Sequence, residues 1–174
     1  MTNPLSAILA WYKATNDSMR VTRRALHQAI PGAITDKYVF YTLSEADADA
    51  MLDNAQQELN RLVILAMVAV FERTLRDSLR SLPMIALPAG DPLLDRVRDE
   101  ILKDIEFWNI SSRVVDLFAM VDPGLRGQVK QIIEYRNWVA HGRTLTEPAP
   151  VKTTPAVAYK RLTDFLTQAG VVTP

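Results

Sequence analysis

The sequence predicts an all-α fold, a single-domain bundle of about five to six helices with a long central one. Three observations carry this. Helix starts recur along the chain, an unbroken helical run spans its middle, and no set of strand-like segments could pair into a sheet. At 174 residues with 48% apolar side chains, there is enough chain for a proper core.

The starts can be placed one by one. Asn3-Pro4, Asp91-Pro92, Asp122-Pro123 and Thr154-Pro155 each put a side-chain acceptor before a proline at the head of an apolar-periodic segment. Proline suits the first helical position because the donor it lacks would have no partner there. Ser44-Glu45-Ala46-Asp47 resembles a capping box, and the run after it meets no proline or glycine before Pro83. The predicted helices are 4–29, 44–82, 92–105, 108–120, 123–141 and 155–169. The stretch 62–71, LVILAMVAVF, is apolar on every side, which makes 44–82 the central helix.

Two segments depart from this pattern. Residues 30–43 hold Pro31-Gly32 and then Tyr38-Val39-Phe40-Tyr41, and read as an ordered crossover that can run extended. Residues 83–91, with two prolines and a glycine, read as a loop that either covers a site or joins two helices, the second being the simpler account. The chain then organises as 1–43, an N-terminal helix and crossover; 44–145, the helical core; and 146–174, a linker and a C-terminal helix packed on the same domain.

Charge and composition narrow the function. Twenty basic residues balance twenty acidic ones, so bulk attraction to nucleic acid or to an anionic membrane is not the organising principle. Without cysteine there is no thiolate nucleophile, thiolate metal site or disulfide. The longest apolar run falls well short of the roughly 18 residues that suggest a membrane span, and the N-terminus has no basic leader, so a cytoplasmic location away from membranes is expected. Two histidines and no convincing carboxylate–histidine set argue for no metal and no cofactor.

The helix at 123–141 carries the most information. At about 100° per residue, Arg136 points in the same direction as Leu125, Val129, Ile132, Ile133, Val139 and Ala140. A guanidinium on an apolar stripe needs a carboxylate, carbonyls, trapped water or a bound anion. Glu72, which follows the all-apolar run and shares a face with Leu65, Val68, Leu75 and Leu79, has the complementary problem, so a Glu72–Arg136 bridge is expected. Lys130, Glu134, Asn137 and His141 form the opposite stripe, facing solvent or a partner. Gly142 closes the helix in a left-handed conformation. His141 can be read simply as a last-turn residue that favours the helix dipole and caps free carbonyls.

The stretch EYRNWVAHGR, residues 134–143, resembles the signature of the HEPN superfamily: an arginine, a polar residue directly after it, and a histidine after four intervening positions, closed here by Ala140-His141-Gly142. The fold resemblance extends over about 44–141, which makes 44–145 a HEPN-like core. The resemblance implies a metal-independent endoribonuclease, often a toxin or antiviral effector, working as a homodimer that joins two motifs in one cleft. Carried over by position, His141 would exchange protons with the 2′-hydroxyl or the leaving 5′-oxygen, Arg136 would stabilise the phosphorane, and Asn137 would orient one of them. Glu72, Trp138 and Arg143 would support the site, Trp138 from the non-core side of the helix, where it could pack a base or the second subunit. On a straight helix Arg136 and His141 point about 140° apart, so they share a site only if the chain turns at His141 or the site spans two subunits. Residues 113–143 carry five basic and three acidic side chains, which would make a mildly anion-attracting cleft.

The competing reading is a catalytically inactive helical dimer that binds RNA, nucleotide or a protein partner, with Arg136 serving structure. An antitoxin or a nucleotidyltransferase encoded elsewhere is a further possible partner. Three other features read as structural. Arg20, Arg23, Arg24 and His27 form a solvated face; Glu45, Asp47, Asp49 and Asp53 serve the start of a long helix; and Trp11 and Trp108 belong to core or interface.

Overall fold

A computed structural model describes residues 3–28, 37–86, 90–142 and 148–173. Among these the protein is all-α. Its helices are α1 (Ser6–His27), α2 (Glu45–Ala86), α3 (Pro92–Asp104), the single turn α4 (Val115–Leu117), α5 (Pro123–Ala140) and α6 (Pro155–Gln168).

The capping chemistry is as the sequence implies. Asp91 accepts from the amides of Leu93 and Leu94, Asp122 from Leu125, and Thr154 from Val157. Ser44 Oγ accepts from the Asp47 amide at 3.2 Å and donates to the Asp47 carboxylate at 2.6 Å. Asn3 works differently: its side chain accepts from the Leu5 amide and donates to Tyr159 and Thr163 on α6, and α1 begins only at Ser6.

Three expected elements are corrected. Residues 108–120 do not form one helix. Ile105–Phe107 is a 3-10 turn, Ile110–Val114 is a wide π turn, and α4 supplies a single α-helical turn. Asn109 resets the start by accepting from the amides of Ser111 and Ser112, and two serines followed by Val114-Val115 are weak helix formers. The segment still buries Ile110, Val114, Val115 and Phe118, which recur at helical spacing. In the crossover Tyr38 and Leu43 are extended, but Val39–Thr42 between them is a 3-10 turn, and 30–36 lie outside the described residues. At the expected loop 83–91, α2 continues through Pro83 to Ala86, at the cost of one backbone hydrogen bond near its end, and 87–89 lie outside the described residues.

The chain divides into two compact units, Ser6–Val63 and Ile64–Pro174 with Met1–Leu5. The division falls inside α2, because α1 pairs with the first part of α2. In that unit the two helices run antiparallel: Tyr12 donates to Asn60 at 2.9 Å, Arg23 meets Asp53 and Asp49, and His27 meets Asp49 and Glu45. The carboxylates expected only to favour a helix start thus also receive the cations of α1. Ala48, Leu52, Leu59 and Val63 are buried there.

The second unit holds the larger core. Phe71, Phe118 and Phe165 meet edge to face, with ring centroids 5.4 Å apart for Phe71–Phe165 and 5.8 Å for Phe118–Phe165. Met67, Val68 and Leu75 of α2, Val129, Ile132 and Ile133 of α5, and Leu162 and Leu166 of α6 are fully buried around them. α6 packs along α5 in this unit.

Candidate functional site

The site is assembled on α5 and the α2 residues of the same unit. Leu125, Val129, Ile132 and Ile133 are buried as their stripe requires, and this fixes the rotation of α5. Arg136, on that stripe, keeps its side chain 24% exposed, and so does Glu72. Arg136 Nη2 donates to Glu72 Oε2 at 2.7 Å. The expected bridge between the two helices is present.

Glu72 has a second partner that sequence reasoning missed. Arg76 Nη2 donates to Glu72 Oε1 at 2.7 Å and to the Trp108 carbonyl at 2.9 Å, while its Nη1 donates to the Ile105 carbonyl. Arg76 is 9% exposed, a buried cation whose donors are met by one carboxylate and two chain carbonyls. The signal was legible, since Arg76 follows Glu72 by one helical turn and shares the face of Leu75 and Leu79. Trp108, which presents one of those carbonyls, carries the Arg113 guanidinium over its ring at 3.9 Å.

Other donors are left over. Arg136 Nε and Trp108 Nε1 are buried and have no hydrogen-bond partner among the described residues. Arg136 therefore anchors through one nitrogen and retains unused donor capacity.

Asn137 and His141 lie on the outer stripe and are exposed. His141 follows the last residue of α5 with φ −88° and ψ 8°, its amide donating to the Asn137 carbonyl at 3.0 Å. Gly142 then takes φ +67° and donates to the Val139 carbonyl at 3.1 Å, the left-handed closure the sequence called for. The chain thus turns at His141, and its imidazole has no partner among the described residues. Arg143 lies outside the described residues.

Trp138 is a correction. It was expected on the non-core side of α5 as a surface for a base or a second subunit, but it is 8% exposed and its ring lies 5.5 Å from that of Tyr135, which is also 8% exposed. The buried arc of α5 extends around one edge of the apolar stripe because two large aromatics gain more by burial than the stripe's end residue Ala140, which is exposed.

The basic neighbourhood is largely neutralised from within. Lys130 donates to Asp116 at 2.8 Å, Arg126 approaches the same carboxylate, and Arg136 is held by Glu72. Among the described residues no group of three or more His, Cys, Asp or Glu is placed to hold a metal ion, and no helix is long and apolar enough to cross a membrane. Comparison with protein-family models, with curated proteins and with solved structures gave no match.

Proposed function

We propose that the chain is a HEPN-like, metal-independent endoribonuclease that acts as a homodimer in a toxin or antiviral-defence role. One observation carries this reading: an arginine anchored by a carboxylate is followed directly by an exposed asparagine and, little more than one turn later, by an exposed histidine with no partner among the described residues at the closed end of the same helix. RNA supplies its own nucleophile, so the protein need only move protons and stabilise charge. His141 takes the proton of the 2′-hydroxyl, the 2′-oxygen bonds to phosphorus, and the 5′-oxygen leaves with a proton returned by an imidazole. Arg136 meets the negative charge of the phosphorane with the donors that Glu72 leaves unused, and Asn137 orients one of the two groups. Two copies of the motif share the cleft. The exposed position of His141 in a turn supports access by a phosphodiester.

A second reading is favoured by a different observation. The Arg76–Glu72–Arg136 bridge accounts for Arg136 on structural grounds alone, as expected for an inactive helical dimer that binds RNA, nucleotide or a protein partner, among them an antitoxin or a nucleotidyltransferase. Purified protein incubated with RNA in excess EDTA separates the two. Cleavage that persists in EDTA and disappears in both His141→Ala and Arg136→Ala is the expected result. Cleavage surviving both substitutions, or abolished by EDTA, overturns the ribonuclease reading, and retention of RNA without cleavage favours the binding module.

A further inference from the structure

Helix α3 is amphipathic in sequence yet has no buried residue. Leu93 is 69% exposed, Val97 is 42% exposed, and Phe107, one turn beyond the helix, is 87% exposed. Leu93, Val97 and Ile101 recur every four residues and line a shallow groove of about 360 Å³ together with Arg96, Glu100 and Asp104. Exposed apolar side chains grouped on one helix face and rimmed by charge mark a contact surface.

The charges say what covers it. Asp95 pairs with Arg98, and Glu100 with Lys103 at 3.0 Å, whereas Arg96 and Asp104 have no ion-pair partner among the described residues. The unpaired cation lies toward the N-terminal half of the groove and the unpaired anion at its C-terminal end. Such a stripe is complementary to itself when reversed. With a two-fold axis near residue 99, Val97 lies opposite the partner's Ile101, Arg96 lies between the partner's Glu100 and the partner's Asp104, and Leu93 reaches toward the partner's Phe107. A parallel pair would instead set Arg96 on its own copy and Asp104 on its own copy, which like-charge repulsion disfavours.

We propose that the outer face of α3 is a homotypic docking surface on which a second copy of this chain binds antiparallel through its own α3. This stands apart from the ribonuclease reading, because it uses neither Arg136 nor His141. The test uses the full chain in sedimentation equilibrium over a concentration series, with circular dichroism as a fold control. Wild type self-associates through α3; Leu93→Asp with Val97→Asp weakens the association about tenfold or more; Arg96→Glu weakens it; and adding Asp104→Arg to Arg96→Glu restores it. Because the chain has no cysteine, Val97→Cys introduces a single thiol, and a short bis-maleimide should link two copies through it. A monomer at every concentration overturns the proposal, as does a dimer indifferent to the folded Leu93→Asp, Val97→Asp variant. Linking through His141→Cys but not Val97→Cys also overturns it, while leaving the ribonuclease reading standing.

Discussion

Glu72 accepts from Arg136 across two helices, Oε2 to Nη2 at 2.7 Å, while its other oxygen accepts from Arg76 one turn along its own helix. One carboxylate therefore holds two guanidinia, one of them buried, so the three side chains do not contribute equally.

Replacing Glu72 is expected to cost more than replacing Arg136. Glu72→Ala leaves two cations facing each other in a partly buried site, and should lower the free energy of unfolding by about 2–3 kcal/mol. Arg136→Met keeps Glu72 paired with Arg76 and should cost about 1 kcal/mol. Urea titrations of both variants check the order; a larger loss for Arg136→Met would contradict the shared-carboxylate arrangement.

His141→Ala should leave folding intact. The imidazole is exposed and has no partner among the described residues, so the change belongs with surface substitutions worth about 0.5 kcal/mol or less. A thermal melt that coincides with wild type makes any loss of RNA cleavage in this variant a chemical effect.

Gly142→Ala should destabilise by about 1 kcal/mol, since φ at Gly142 is +67° and nothing lies within 4 Å of the added carbon. The penalty comes from backbone conformation alone. Gly142→Asn should recover part of it, and denaturation curves of the two variants compare them directly.

The α1 unit should weaken as pH rises through the raised pKa of His27. Hydrogen bonds to Glu45, and then to Asp49, raise the pKa of His27 above its ordinary value, against a smaller opposing effect of desolvation, and Arg23 reaches Asp49 as well. Because the folded value lies above the unfolded one, the stabilisation is fully present below about pH 6.5 and is lost as pH climbs through the raised folded value. Hydrogen exchange of α1 amides measured across that range should show the loss, and His27→Gln should flatten the profile.

Much of the second unit was legible because each cue is local. A capping acceptor followed by proline fixes Asp91, Asp122 and Thr154 as helix starts without reference to the rest of the chain. The Glu72–Arg136 bridge was legible for another reason: each residue breaks an apolar stripe, and opposite misfits in a small core have few other partners. Where the outcome depended on competition between neighbours, the pattern misled. Residues 110–118 keep a helical spacing of apolar side chains, but Asn109 captures two amides and opens the first turn too widely for a regular helix. Helix angle alone points Trp138 outward, but its area and a neighbouring Tyr135 decide its burial. Arg76 was overlooked because a one-turn Glu–Arg pair usually lies on a solvated face, and its carbonyl partners belong to residues 29 and 32 positions away.

Those two carbonyls have an evolutionary consequence. Ile105 and Trp108 offer their oxygens to one planar cation, so the corner between α3 and the following turn is gauged in length as well as in sequence. Changing the side chains at positions 106 and 107 leaves both carbonyls in place, but gaining or losing a single residue there would pull an oxygen off the guanidinium and strand a charge in the interior. Natural variants of this corner should therefore differ by substitution and keep its spacing constant.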